Sequence, residues 1–149
     1  MKLWDGSCMV HEVFSRKRML ELKTRHPEAM IIAHPECQED VLAHADFIGS
    51  TTALLKYVKA SDHTSFIVMT EAGILHQMRK ENPGKSLIAG PSEGSCACND
   101  CPHMKLNTLE KLYLSLRYEA PELNLSPALM QSALKPIQRM LEISESLSA

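Results

Sequence analysis

Aromatic side chains are scarce in this sequence, which has one Trp, three Tyr and three Phe among 149 residues. The core must therefore come from Leu, Ile, Val and Ala, with nine Met to fill irregular gaps. No apolar run approaches the roughly 20 residues that a membrane-spanning helix requires. The opening Met1-Lys2-Leu3-Trp4-Asp5-Gly6-Ser7-Cys8 lacks the apolar stretch of a secretory signal. Excess charge is also lacking, since the formal net charge is −2 with both signs interspersed. The one compact basic run, Arg16-Lys17-Arg18, falls inside a helical pattern. It reads as a solvated face rather than a footprint for nucleic acid or membrane. Neither repeats nor low-complexity tracts occur. The expectation is a soluble cytoplasmic protein without nucleic-acid or membrane partners. Its five cysteines, in a reducing setting, suit metal binding better than disulfides.

What is present alternates. Glu12 to Arg25 has a helical pattern with Val10, Val13, Phe14 and Leu20 near one face, and His26-Pro27 ends it. Met30-Ile31-Ile32-Ala33 is a short, continuous apolar run, as expected of a strand buried on both faces. A short helix over Glu39 to Ala43 and a strand at Asp46-Phe47-Ile48 follow. Ser50 or Thr51 can cap a helix over Ala53 to Lys59. Phe66 to Met69 and Leu87-Ile88-Ala89 read as further strands, separated by a helix over Glu71 to Glu81. Short apolar strands alternating with helices predict an α/β fold with a parallel sheet. Beyond Gly90 a loop, Pro91 to Pro102, carries three cysteines. Asn107-x-x-Glu110 resembles a capping box before a helix striped by Leu109, Leu112, Tyr113 and Leu116. Ser126-Pro127 opens a last helix, in which Pro136 should introduce a bend.

In an open parallel sheet, ligands bind beyond the carboxyl ends of the strands. Here those positions hold His34-Pro35-Glu36, Gly49-Ser50-Thr51-Thr52, Thr70-Glu71 and Gly90-Pro91-Ser92-Glu93-Gly94. Imidazole, carboxylates, hydroxyls and helix N-terminal N–H groups converge there, which suits an anionic substrate. Each residue also has a structural reading: His34 can end a strand, Glu36 can be solvated, and Ser50 is a good N-cap in any case. Cys96-Ala97-Cys98-Asn99-Asp100-Cys101, with the distant Cys8, is the strongest local signal. By spacing it fits an iron–sulfur cluster, a four-cysteine zinc site, or a redox pair at Cys98 and Cys101. A zinc-stabilised, non-catalytic α/β module, or a remnant fold without metal, is thus the alternative to a cluster enzyme.

Several strings together resemble the C-terminal part of the quinolinate synthase family. They are Trp4-Asp5-Gly6-Ser7-Cys8-Met9-Val10-His11, His34-Pro35-Glu36-Cys37, Ala45-Asp46-Phe47-Ile48-Gly49-Ser50-Thr51, Thr70-Glu71-Ala72-Gly73 and Cys101-Pro102-His103-Met104-Lys105-Leu106-Asn107-Thr108-Leu109. The resemblance spans nearly the whole chain. It implies three similar αβα domains around a central site, and condensation of iminoaspartate with dihydroxyacetone phosphate to quinolinate in NAD biosynthesis. It also implies a 4Fe-4S cluster held by one cysteine from each domain. By motif, Cys8 and Cys101 match two cluster ligands, and His11, His34 and Glu36 match pocket residues. Ser50 and Thr51 match a substrate-carboxylate contact. Of these, His34 and Glu36 are the candidate catalytic pair, while Cys37, Cys96 and Cys98 take second place.

On this reading residues 1–11 end a preceding domain that carries Cys8, and 12–95 form an αβα domain. Residues 96–106 are the cysteine loop, and 107–149 are C-terminal helices that pack on an N-terminal domain. The family is about twice as long as this chain and supplies its third cysteine from a first domain that is expected to be missing here. His103 stands where an aromatic such as Tyr is commoner. The chain alone is therefore expected to be inactive, unless complemented by an N-terminal half of the same enzyme.

Overall fold

In the computed structural model, residues 6–92 and 99–148 are described. The chain divides between Leu106 and Asn107 into two compact units. In the first, four short strands form one parallel sheet: β1 (Met30–Ala33), β2 (Phe47–Ile48), β3 (Ser65–Met69) and β4 (Ser86–Ala89), in the order β2-β1-β3-β4. The expected α/β class is what the chain adopts. In register, Ile32 lies between Phe47 and Val68, and Ile67 lies beside Ile31 and Ile88.

Side chains alternate across a strand, so each continuous apolar run feeds two cores. Ile31, Ala33, Ile67 and Met69 pack on one face with Phe14, Met19, Cys37 and Val41. Ile32, Phe66 and Val68 pack on the other with Leu54, Val58, Leu75 and Met78. The first face is covered by α2 (Arg16–Arg25) and α3 (Glu39–Leu42), and the second by α4 (Thr51–Ala60) and α5 (Ile74–Glu81). This division follows from topology. The step from β1 to β2 runs one way along the sheet, and the steps to β3 and β4 run the other way. Crossovers of a single hand must then put their helices on opposite faces.

Several boundaries differ from the sequence reading, each for a local reason. The helix expected over Glu12 to Arg25 is two helices, α1 (Met9–Glu12) and α2. Between them Phe14 forms an antiparallel bridge with Ser92, and the Ser15 hydroxyl caps α2 by accepting from the Arg18 N–H. Val13 is consequently exposed, and Met19 occupies the core place on α2. Arg18 of the basic run donates to the Ser92 carbonyl at 2.8 Å, which ties α2 to the segment after β4. Asp46 lies before β2 instead of within it. Its carboxylate accepts the Ile31 N–H and its own N–H donates to the Ile31 carbonyl, both at 2.7 Å, so a side chain replaces a ladder bond. α5 begins at Ile74 because the Glu71 carboxylate turns forward to accept the Gly73 N–H at 2.7 Å.

The second unit holds α6 (Leu109–Tyr118) and α7 (Pro127–Ser148). Thr108, not Asn107, caps α6: its backbone is extended and its hydroxyl accepts the Lys111 N–H three residues on, at 3.2 Å. Glu110 then sits in the first turn, where its charge complements the helix dipole. Ser126 caps α7 as expected, accepting from the Leu129 N–H, and the helix continues through Pro136. The stripe Leu109, Leu112, Tyr113 and Leu116 is exposed, as are Leu134, Ile137 and Leu141 of α7. Among the described residues no helix is long and apolar enough to cross a membrane.

Gly90 follows β4 where Phe14 and the β3 end close in. A Cβ built there would lie 2.5 Å from Met69 Sδ, 2.9 Å from the Phe14 ring and 3.0 Å from the Val68 carbonyl oxygen. Gly90→Ala is therefore expected to destabilise the first unit by about 1–3 kcal/mol through overpacking. Urea unfolding checks this, with Gly84→Ala as the control, since a Cβ at Gly84 would meet nothing within 4 Å beyond its own chain neighbours.

Candidate functional site

The strand order reverses between β1 and β3, so the crevice for a ligand opens at the carboxyl ends of those two strands. His34-Pro35-Glu36 leaves β1 there, and Thr70-Glu71 leaves β3. The two exits are joined by the His34 N–H, which donates to the Met69 carbonyl at 3.1 Å. α1 lays His11 across them. Its Nδ1 lies 3.1 Å from a Glu36 carboxylate oxygen, and its Nε2 lies 3.1 Å from the Thr70 hydroxyl. His34 stacks on His11, with ring centroids 4.4 Å apart and planes 10° from parallel. The His34 Nδ1 accepts the Glu36 backbone N–H at 3.3 Å.

A carboxylate only accepts hydrogen bonds, so neutral His11 carries its proton on Nδ1 toward Glu36, and the Thr70 hydroxyl donates to Nε2. Burial lowers the His11 pKa below its ordinary 6.5, the neighbouring His34 lowers it further, and Glu36 opposes both. The Glu36 side chain remains about half exposed (56%) and faces an open cavity of about 430 Å³ lined also by Gly6, Ser7 and Cys8. One ligand atom each of Cys8, His11 and Glu36 lie within 4.8 Å of one another.

Cys101 approaches the same edge by another route. Its backbone N–H donates to the Glu71 carboxylate at 3.3 Å. Two residues earlier, the buried Asn99 donates to the Val10 carbonyl at 2.9 Å and accepts the Ala72 N–H at 2.9 Å. Val10 is itself two residues past Cys8, so a single amide ties the cysteine loop to the segment bearing the other thiol. Both thiols are half-buried and free, which is the soft, accessible donor chemistry that an iron–sulfur cluster takes. Cys37 does not fit that role. It is buried, its thiol donates to the Met69 carbonyl at 3.3 Å, and burial pushes its pKa up to about 11. Cys96 and Cys98, the latter one member of the expected Cys98–Cys101 redox pair, lie outside the described residues, as do Glu93 and Gly94 and, in the first motif, Trp4 and Asp5.

Ser50 and Thr51 sit at the carboxyl end of β2, the strand beside β1. The Ser50 hydroxyl accepts the Ala53 N–H at 3.3 Å, so Ser50, not Thr51, is the N-cap. The structure thus brings Cys8, His11, His34 and Glu36 together, and sets Ser50, Thr51 and Cys101 at flanking positions of one sheet edge. Sequence reasoning placed Thr70-Glu71 on this edge but missed their tasks: Thr70 holds His11, and Glu71 holds the Cys101 loop. It also missed Asn99, which carried no signal beyond its place between cysteines.

Two outcomes follow from these environments. With iodoacetamide at neutral pH and mass-spectrometric readout, native metal-free protein is expected to be alkylated at Cys8 and Cys101 well before Cys37, whose thiolate is suppressed by burial. In an NMR titration of the same protein, the His11 midpoint is expected below 6.5, and Glu36→Gln should lower it further by removing the favourable partner. Because the folded pKa is depressed, the unfolded chain binds the proton more readily. This group's contribution to stability is then full above pH 6.5 and is lost as pH falls through the folded pKa.

The family model for "Quinolinate synthetase A protein" matches residues 1–142 of the chain. A relative named quinolinate synthase from Rippkaea orientalis is 58% identical over 142 residues, covering 95% of this chain and 44% of its own length. One of that name from Thermosynechococcus vestitus is 60% identical over 145 residues, covering 97% of this chain and 46% of itself. Another, from Cyanophora paradoxa, is 54% identical over 142 residues, with 95% and 43% covered. The chain thus spans less than half the length of the curated relatives it matches. Matched over almost its whole length by the family model, the chain belongs to the quinolinate synthetase A protein family.

Proposed function

We propose that this chain is the C-terminal portion of a quinolinate synthase, acting in NAD biosynthesis in the cytoplasm. Its substrates in that role are iminoaspartate and dihydroxyacetone phosphate, condensed to quinolinate with loss of phosphate and water. One observation carries the reading: Asn99 ties the Cys101 loop to the backbone beside Cys8, and Cys8 lies at the mouth of a His–Glu crevice at the β1/β3 switch. Cys8 and Cys101 would hold a 4Fe-4S cluster, with a third thiolate from a family-like N-terminal portion. When bound, the cluster supplies Lewis acidity toward a substrate hydroxyl or carboxylate.

The chain's own residues do the rest of the work. Glu36, half exposed at the cavity, takes and returns protons during enolisation and dehydration. His34, two residues before it and stacked on His11, shares that task and fixes the ring beside the crevice. His11 and Thr51 bind substrate, and Ser50 sets the first turn of α4, whose N–H groups favour a carboxylate. With part of the cluster ligands and part of the pocket supplied from outside, this chain alone does not preorganise the reaction. The exposed apolar stripes of α6 and α7 are the surfaces that would receive the N-terminal portion, since contiguous apolar faces mark partner contacts.

The test is anaerobic reconstitution of the chain mixed with a separately expressed N-terminal portion of a relative. The mixture is expected to be brown, to contain iron and acid-labile sulfide, and to form quinolinate. Cys8→Ser or Cys101→Ser should abolish sulfide retention, and Glu36→Gln should keep the cluster but lose product formation by about 10²–10⁴-fold. Turnover by the chain alone would overturn the complementation claim. Zinc without sulfide in the active mixture would overturn the cluster.

A further inference from the structure

We propose that Cys8, His11 and Glu36 form a site for a single thiophilic divalent cation of the zinc type when no cluster occupies the Cys8 thiolate. The donor set is a thiolate, an imidazole and a carboxylate from two separate segments of the chain, and its ligand atoms lie within 4.8 Å of one another. A tetrahedral cation with bonds of about 2.0–2.3 Å separates its ligands by roughly 3.3–3.8 Å, so small rotations of the Cys8 and Glu36 side chains close the site around the buried His11. Two of the three ligand atoms, His11 Nδ1 and the Glu36 oxygen, are already 3.1 Å apart. The cavity along Gly6, Ser7, Cys8 and Glu36 leaves room for water as a fourth ligand.

The surroundings match those of metal-bound histidines, whose second ring nitrogen is held by a hydrogen-bond partner that sets the tautomer. Here that partner is Thr70, 3.1 Å from His11 Nε2. A hydroxyl both donates and accepts. Without a cation it donates to Nε2, and with a cation on Nδ1 it accepts from the Nε2 proton. The tautomer can therefore change while the ring stays in place. None of Cys8, His11 and Glu36 belongs to either hydrophobic core, so the site is one of occupancy and not of folding. Because the cation and the cluster both need the Cys8 thiolate, they exclude one another. A divalent cation at this site would block cluster assembly.

The experiment uses the full chain, reduced and metal-free, with Cys96→Ser, Cys98→Ser and Cys101→Ser to remove the loop thiols, titrated with Co2+ alone and then with Zn2+. The expected result is one Co2+ per chain, with a thiolate-to-cobalt charge-transfer band and the intense visible bands of four-coordinate cobalt, displaced stoichiometrically by Zn2+. Adding Cys8→Ser should abolish the charge-transfer band. Thr70→Val should weaken binding about 10–100-fold, and Thr70→Ser should restore it. Absence of the band in a cooperatively folded background variant overturns the proposal, as does its persistence without Cys8. If the triple variant does not fold, the unaltered chain answers the same question. One equivalent of Zn2+ should slow alkylation of Cys8, and Glu36→Gln should remove that protection. Equal protection in Glu36→Gln overturns the proposal. The cluster reading is measured separately, by iron and sulfide, and survives or fails independently of the cobalt result.

Discussion

The contact on which the site depends is a buried imidazole held at both ends. His11 reaches Glu36 at the end of β1 with one nitrogen and Thr70 at the end of β3 with the other, each at 3.1 Å. Those two strands flank the point where the sheet reverses its order, so the ring spans the crevice that the topology opens. Stacking on His34 fixes the plane of the ring, and the short helix α1 carries Cys8 into place beside it. Losing either hydrogen bond would leave a buried polar nitrogen without a partner, which costs about 1–3 kcal/mol.

Around this contact the chain uses polar side chains as replacements for regular structure. Asp46 stands in for a ladder residue, Glu71 folds forward over the start of α5, and the Asn99 side chain donates to the Val10 carbonyl. In each case the side chain satisfies a backbone group that a strand or helix would otherwise have satisfied. Glu71 and Asn99 do so at the carboxyl edge that bears the candidate site, whereas Asp46 does so where the chain enters β2. His34, Glu36 and Thr70 are carried on turns within three residues of a strand end.

The parallel sheet was legible because runs such as Met30–Ala33 and Ser65–Met69 are apolar at nearly every position, which only a strand covered on both faces requires. The caps at Ser50 and Ser126 were legible because their chemistry is local. Thr108 replaced Asn107 because the choice between adjacent capping residues depends on backbone angles that neither side chain announces. The break at Phe14 was hidden for a different reason. It is made by a bridge to Ser92, 78 positions away, and periodicity has no access to such a partner.

What the sequence by itself determined is the class of fold, the family, and the residue types available at the carboxyl edge of the sheet. Short-range patterns encode these, because they follow from the apolar period and from motifs a few residues long. Only the tertiary structure decided which of those residues meet. His11 lies 25 positions from Glu36 and 59 from Thr70, and Asn99 lies 89 from Val10. Contacts at such separations arise from strand order and the packing of helices on opposite faces. The pairing of Thr70 with His11, and the burial of the Cys37 thiol against the Met69 carbonyl, follow from that packing.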